Sequence, residues 1–212
     1  MLVEKSVHDF IEIVDSNEPV PGGGSVSALA GSIAAALGRM VGSLTFNKKA
    51  FKEYDESIQN CLRESSEKLL SLKEELEKGV DKDANAFDKV MEAFAMPKET
   101  EEEKKLRSEK VQEGYKIALE TPRRAAKACM EVLDLLEPFV KYGTKGAVSD
   151  VGVGVLMATS GVEGSIFNVK INLLAMKDEK YIEEANKEAD EIIEKMNKKR
   201  DELLKIVYER LK

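Results

Sequence analysis

The chain contains no tryptophan, one histidine and two cysteines among its 212 residues. The cysteines, Cys61 and Cys129, have no metal-ligand spacing, so we interpret them as reduced thiols of a cytoplasmic protein and expect no metal site. The histidine, His8, lies off the apolar stripe of its segment and is expected at the surface. The sequence therefore offers neither a His/Cys metal constellation nor a serine–histidine nucleophilic pair.

An excess of positive charge is also missing. The formal net charge of −7 argues against nonspecific binding to nucleic acid or to acidic membranes. Five prolines and abundant Ala, Glu, Lys and Leu predict an all-α protein, and the length predicts one domain over residues 1–212. Residues 1–16 mix charged with apolar side chains and show no signal-peptide core.

Residues 21–47 contain one charged side chain, Arg39, in a chain that is 34% charged. Gly24 or Ser25 is a plausible N-cap for an apolar helix that follows. The run nearly has the length of a membrane span, but Arg39 and the lack of a second span favour a buried helix. We therefore predict a bundle of long helices around this buried, small-residue-rich central helix, and no membrane partner. Small residues that allow close helix approach recur at i, i+4 spacing: Ala30, Ala34, Gly38 and Gly42.

The longest apolar stripe runs from Ile58 to Phe94 in steps of four and three, which is typical of a long helix packed in coiled-coil fashion. Asp83 occupies a position of this stripe where an apolar residue is expected, and Asp81 lies on a neighbouring face. A buried carboxylate must be paired, hydrogen-bonded or protonated. Asp83 could satisfy a neighbouring helix end or carry protons in a reaction, and the pattern leaves both interpretations open.

Other polar side chains stand out against apolar segments. Lys48 and Lys49 follow the central helix, where they could complement a helix C-terminus or form an anion site. Asn168 and Asn172 are one turn apart in an apolar segment, which is costly unless the amides bond protein backbone or a ligand. Asp150 is predicted at the N-terminus of that helix, since the glycines that follow it argue against a strand.

Prolines and caps predict the remaining boundaries. Thr100 and Glu103 form a capping box, and Pro122 is predicted to start a new helix at its N1 position. Residues 181–212 form a charged helix whose heptad seam should pack on the rest of the domain or on a partner. This seam and the small-residue face exceed what one subunit is expected to cover, so we predict a homodimer.

Several separated motifs are spread along nearly the whole chain. The first is Pro-Gly-Gly-Gly-Ser-Val, which is neither a Walker loop nor a dinucleotide-binding glycine motif. Later motifs include Val-Asp-Lys-Asp-Ala-Asn-Ala and Phe-Asn-Val-Lys-Ile-Asn-Leu. In this order and spacing the chain resembles the formiminotetrahydrofolate cyclodeaminase and methenyltetrahydrofolate cyclohydrolase family. Thr144 departs from the family pattern, in which Asn more often follows the glycine. The motifs occupy residues 21–31, 40–49, 80–87, 97–107, 149–150 and 161–173.

This resemblance implies an all-helical homodimer that acts on a reduced folate and needs no cofactor beyond its tetrahydrofolate substrate. The implied reaction is cyclodeamination of 5-formiminotetrahydrofolate to 5,10-methenyltetrahydrofolate and ammonia, with the methenyltetrahydrofolate cyclohydrolase reaction as the alternative. Asp83 and Asp150 are the candidate catalytic residues, Asp83 for acid–base work and Asp150 for holding the aminopyrimidine edge. The candidate substrate-binding residues are Gly22, Gly23, Gly24, Ser25, Lys48, Lys49, Asp81, Asn168 and Asn172.

Two classes without catalysis compete with this interpretation. A folate-binding protein that is not an enzyme would keep the amides and lysines without the chemistry of Asp83. A purely structural helical scaffold leaves unexplained a carboxylate inside the longest apolar stripe. Binding of a reduced folate would exclude the scaffold, and turnover would exclude the non-catalytic binder.

Overall fold

The computed structural model describes the backbone of residues 1–212 and every side chain except those of Ala84 and Phe87. Its regular elements are α-helices and short 3₁₀ turns, and no strand occurs along the backbone of residues 1–212. The prediction of an all-α fold is confirmed. The helices are α1 Val7–Val14, α2 Gly23–Phe46, α3 Glu56–Phe94, α4 Glu101–Leu135, α5 Glu137–Tyr142, α6 Val148–Leu173 and α7 Glu179–Arg210.

Helices α2, α4 and α6 meet closely at small residues. A Cβ atom on Gly161 of α6 would lie 3.0 Å from the carbonyl oxygen of Ser27 and 3.2 Å from the nitrogen of Gly31, both in α2. Cβ atoms on Gly31 and Gly161 would also approach the sulfur of Cys129 in α4, at 2.3 and 2.8 Å. Helix α4 therefore lies in the groove between α2 and α6, and glycine is what allows this approach.

Helix α2 is buried along one side and exposed along the other. Its four small residues at i, i+4 spacing are buried, whereas large apolar side chains on the remaining face are 39–45% exposed. Helix α6 carries a similar exposed row. By length and hydropathy α2 alone among the described helices would pass as a membrane span. We define the α2–α6 apolar face as Val26, Ile33, Met40, Leu44, Val153, Leu156, Phe167 and Ile171.

The start of α2 differs from the predicted N-cap at Gly24 or Ser25. The helix begins at Gly23, and Gly22 is the N-cap. Glycine has no side chain that could accept a hydrogen bond from the first-turn N–H groups. A carboxylate from α3, that of Asp83, faces this turn and hydrogen-bonds with Ser25 instead. The prediction was wrong because cap rules consider side chains that are local in sequence.

Helix α3 follows the predicted long stripe. Every stripe position from Leu62 to Val80 is at most 7% exposed. The burial ends before Phe94, which is 42% exposed while its neighbour Ala93 is buried. The side chain of Phe87, also a member of the stripe, lies outside the described ones.

Helix α4 runs through Pro122, so the prediction that a new helix starts there is wrong. Proline has no N–H, so the Ala118 carbonyl loses its helical partner, at a cost of about 3 kcal/mol in a helix interior. Because α4 packs against both α3 and α6, tertiary contacts keep the segment helical across the proline. The predicted capping box of Thr100 and Glu103 is confirmed.

Helix α7 buries its heptad seam within the same chain. Ala185 and Ala189 pack with α4 and α6, and Met196 joins the main core. Lys199, the one defect in the seam, forms an ion pair with Glu137. The chain itself therefore covers both features on which the homodimer prediction rests, the α7 seam and the small-residue face. The homodimer stays a prediction, now based on the exposed α2–α6 apolar face.

Candidate functional site

A cavity of about 230 Å³ lies where the first turn of α2 meets α3, α4 and α6. Asp83 is the one ionisable side chain among the described residues that line it. The other walls are glycine, aliphatic groups and two amides, a lining that suits a flat polar ring. The cavity brings together six of the predicted site residues: Gly22, Gly23, Gly24, Asp83, Asn168 and Asn172.

Asp83 lies against the first turn of α2 because residue 24 has no side chain. A Cβ atom on Gly24 would come within 2.3 Å of Oδ1 of Asp83. The carboxylate therefore faces the positive end of a 24-residue helix, and the Ser25 hydroxyl lies 3.3 Å from its Oδ2. Asp83 thus satisfies a neighbouring helix end, and the same carboxylate lines the cavity. The position of Asp83 is therefore compatible with both roles that the sequence left open, satisfying a helix end and exchanging protons with a ligand.

The surroundings of Asp83 make its carboxyl group easier to protonate than that of a free aspartate. Burial raises the pKa of Asp83 above 3.8, and hydrogen bonding from the side chain and backbone of Ser25 opposes this effect without cancelling it. No lysine or arginine is among the described residues that line the cavity, so no cation there offsets the burial. A carboxyl group whose pKa moves toward neutrality can accept and donate protons in turn.

Ser25 itself does not line the cavity. Its side chain is fully buried, and its Oγ donates to the carbonyl oxygen of Val80 at 2.8 Å. The hydroxyl contacts Asp83 and the α3 backbone, so the expected substrate contact of Ser25 stays a prediction that these contacts do not support.

Asn168 and Asn172 line the opposite wall, on α6. Nδ2 of Asn168 donates to the Gly164 carbonyl and Nδ2 of Asn172 donates to the Asn168 carbonyl, each at 2.9 Å. Backbone of their own helix therefore satisfies one N–H of each amide, which removes part of the cost of placing them in an apolar helix. Each amide keeps an oxygen and a second N–H that can bond a ligand.

Asp81 does not join this group. Its Oδ1 accepts the backbone N–H of Leu2 at 2.6 Å and so ties the N-terminal turn to α3. Two positions along a helix turn the side chain by about 200°, which explains why Asp81 and Asp83 face different sides of α3. The predicted substrate contact of Asp81 is not supported by this arrangement.

Lys48 and Lys49 lie at the other end of α2, in a second cavity of about 540 Å³ that Lys145 also lines. These three lysines form no ion pair with any described side chain. The 24 residues of α2 place this lysine cavity roughly 36 Å from the Asp83 cavity. That distance is about the diameter of a small domain. Within one chain the two cavities cannot contact the same small molecule.

Asp150 lies in the first turn of α6, as predicted. It is eighteen positions from Asn168 on the same helix, which places the two roughly 27 Å apart along the axis. Within one chain the structure therefore does not bring Asp150 to the Asp83 cavity. Asp150 lies instead toward the end of the molecule that holds Lys145 and the lysine cavity.

Some residues of the cavity wall were not predicted from the sequence. Ala118 of α4 and Ile171 of α6 line it, yet neither carries a signal that separates it from ordinary core residues. Pro19 and Val20 also line it, and their position directly before the glycine run was a usable signal.

Comparison with known proteins gives consistent matches. A family model described as formiminotransferase-cyclodeaminase matches residues 6–191. A methenyltetrahydrofolate cyclohydrolase of Methylorubrum extorquens is 35% identical over 190 residues, which cover 90% of this chain and 89% of that protein. A formimidoyltransferase-cyclodeaminase of Gallus gallus is also 35% identical, over 189 residues that cover 88% of this chain and 34% of that protein.

A solved structure shares the fold over its full length. The crystal structure of a formiminotetrahydrofolate cyclodeaminase from Thermotoga maritima, at 2.80 Å resolution, matches with a TM-score of 0.80 and 25% identity. The match covers 100% of this chain and 98% of that one. Two proteins of matching length therefore carry different names: the Methylorubrum extorquens protein is named a cyclohydrolase, and the Thermotoga maritima protein is named a cyclodeaminase.

Proposed function

Because the chain belongs to the formiminotransferase-cyclodeaminase family, we propose that it converts 5-formiminotetrahydrofolate to 5,10-methenyltetrahydrofolate and ammonia. Family membership supports one-carbon folate chemistry, either cyclodeamination or cyclohydrolysis. The observation that carries the proposal is the position of Asp83, a partly buried carboxylate that is the one ionisable group among the described walls of its cavity.

In the proposed reaction, N10 of the folate attacks the imino carbon that is attached to N5. The new bond between N10 and this carbon closes a five-membered ring, and the bond from the carbon to the imino nitrogen breaks. N10 loses its proton, and the departing nitrogen gains protons to leave as ammonia. Since both reacting atoms belong to one molecule, a cavity that holds the folded conformer supplies much of the rate.

Asp83 is the proposed acid–base group. A protonated formimino nitrogen carries positive charge, and no competing cation is found among the described cavity residues, so the Asp83 carboxylate would attract it. The same carboxylate can take the proton from N10 and return it to the departing nitrogen. Asn168 and Asn172 supply the free amide oxygens and N–H groups that would hold the edge of the folate ring.

The cyclohydrolase reaction is the second candidate, because the relative of matching length in Methylorubrum extorquens carries that name. Here water would attack the methenyl carbon, with Asp83 as the base that accepts its proton. The methenyl form is also a cation, so the same uncompensated carboxylate suits both substrates. The identity of 35% to proteins with either name does not favour one reaction.

We also propose that the protein is a homodimer formed through the α2–α6 apolar face. Eight large apolar side chains there are exposed, in two rows on neighbouring helices. A second copy could also bring together predicted site residues that lie far apart within one chain. If Lys48, Lys49 and Asp150 act on the substrate held by Asp83, they do so from the partner subunit. The lysine cavity would then offer cations to the carboxylates of the folate.

Three further properties are the domain organisation, the partners and the cellular location of the protein. We propose that residues 1–212 act as one domain, with the reduced folate as the sole organic partner and without a further cofactor. Cys61 and Cys129 are both free, and burial raises the pKa of the Cys129 thiol to about 12. Such thiols suit the cytoplasmic location that we propose.

The two reactions can be separated with purified protein and two substrates. Incubation with 5-formiminotetrahydrofolate should raise the absorbance of the methenyl product and release one ammonia per methenyl group formed. Incubation with 5,10-methenyltetrahydrofolate should leave its decay at the spontaneous rate. Acceleration of that decay would instead establish the cyclohydrolase. Tight folate binding without either reaction would identify a non-catalytic binder.

A further inference from the structure

The hydroxyl group of Ser25 lies between Asp83 and the backbone of α3. Its Oγ is 2.8 Å from the carbonyl oxygen of Val80 and 3.3 Å from Oδ2 of Asp83. Ser25 is 0% exposed and is not one of the residues that line the cavity. The hydroxyl therefore cannot touch a ligand in the cavity, but it does touch the group that is proposed to exchange protons with one.

A hydroxyl group has one donor and two acceptor lone pairs, so it can bond either form of a carboxyl group. When Asp83 is ionised, the Ser25 hydroxyl can donate to Oδ2. When Asp83 is protonated, Oγ of Ser25 can accept the carboxylic acid proton while it donates to the Val80 carbonyl. Rotation of one O–H bond serves both states, and no heavy atom has to move.

From this geometry we infer that Ser25 is a positioning residue, which holds the Asp83 carboxyl group in one place while that group gains and loses a proton. The inference rests on the proposed function, since it assumes that Asp83 changes protonation during turnover. It assigns Ser25 a role that differs from the substrate contact expected from the sequence. A residue that could only accept, or only donate, would leave one of the two states without its partner.

The test compares Ser25→Ala with a matched control, Ser32→Ala. Ser32 lies two turns further along α2, is 4% exposed, and donates to the Lys73 carbonyl of α3 at 3.4 Å. The two substitutions remove the same kind of bond between the same helices, but Ser32 has no contact with Asp83. Two measurements apply: kcat and KM against pH with whichever folate the wild type converts, and titration of the Asp83 carboxyl carbon by NMR, assigned with Asp83→Asn.

We expect Ser25→Ala to lower kcat by about tenfold or more, the effect of one hydrogen bond to a charged group, with KM changed less than about twofold. Asp83 should titrate at higher pH in this variant, because a bond that stabilises the carboxylate is gone. Ser32→Ala should leave kcat, KM and the titration of Asp83 unchanged. Ser25→Cys keeps a near-isosteric but weaker donor, so it should change kcat and the titration of Asp83 in the same directions by smaller amounts. This variant replaces Ser25→Ala if Ser25→Ala does not fold.

Two results would overturn the inference. A raised KM with an unchanged pH profile would make Ser25 a substrate contact. A lower melting temperature with unchanged kinetics and unchanged titration would make it a structural residue like Ser32. Failure of the proposed function is a different outcome, since a wild type inactive on both folates is detected before any variant is made.

Discussion

The Asp83 carboxylate occupies the space that a side chain on Gly24 would fill, since a Cβ atom there would lie 2.3 Å from Oδ1 and 2.4 Å from Oδ2. No glycine of the described backbone has a positive φ angle, so Gly24 is not needed for an unusual conformation. The requirement is steric. The glycine lets a carboxylate from α3 reach the first turn of α2 and, with it, the edge of the cavity.

Replacement of Gly24 should therefore displace Asp83. We expect Gly24→Ala to lower turnover at least about tenfold and to destabilise the fold by about 1–3 kcal/mol through overpacking. Gly79→Ala in α3 is the control, because its Cβ would meet that of Ala28 at an ordinary 3.5 Å. That variant should keep its turnover and gain up to about 1 kcal/mol. Urea unfolding and steady-state kinetics measure both; normal turnover in Gly24→Ala would contradict the steric argument.

Removal of the Asp83 charge should separate its two roles. In Asp83→Asn the amide oxygen can still accept from Ser25, so folding and folate binding should stay close to normal, while turnover falls by about 10²-fold or more. Asp88→Asn, an exposed carboxylate on the same helix, should leave turnover unchanged. Kinetics and melting temperature of both variants decide the point. Near-normal turnover in Asp83→Asn would end the candidacy of Asp83, and Asp150 would become the next candidate.

The pH dependence of stability should also reveal Asp83. Because burial raises its folded pKa above 3.8, the folded state binds this proton more tightly than the unfolded state does. Its stabilising contribution is complete below 3.8 and is lost as the pH rises through the folded pKa. The free energy of unfolding of wild type, relative to Asp83→Asn, should therefore fall as the pH rises from about 4 and level off above the folded pKa of Asp83. Urea unfolding across that range provides the measurement, and a difference independent of pH would exclude the shift.

The α2–α6 apolar face should hold two copies together. A charge on this face, introduced by Ile33→Glu, should convert the proposed dimer to a monomer, because a buried unpaired carboxylate is strongly disfavoured at an interface. Leu106→Glu, at an exposed apolar position of α4, should leave the dimer intact. Sedimentation at micromolar concentration measures both variants. A wild type that sediments as a monomer would refute the proposal outright.

Folate binding by the monomeric Ile33→Glu variant then tests the composition of the site. If Lys48 and Lys49 contribute from the partner subunit, this variant should bind the reduced folate more weakly than wild type does, even though the Asp83 cavity is intact. Affinity equal to that of the wild type would place the whole binding site within one chain.

Local sequence patterns determined the helices and several of their boundaries. The stripe from Leu62 to Val80 and the cap at Thr100 depend on side chains within a few positions of one another, and such patterns can be read without a fold. The same stripe singled out Asp83, because a carboxylate occupies a position where an apolar residue is expected. The positions that failed, the N-cap of α2 and Pro122, are those where contacts between helices outweigh local preference.

The tertiary structure alone decided which polar residues meet. Asp83 and Asn168 are distant in sequence and share one cavity, whereas Asp81, two positions from Asp83, faces another side of α3. Lys48, predicted for the same site, lies at the far end of α2 because a straight helix holds its two ends apart by its own length. The sequence determined which residues could bind and react, since that depends on their chemistry. Which of them face one substrate depends on helix crossings, and those are set by packing across the whole chain.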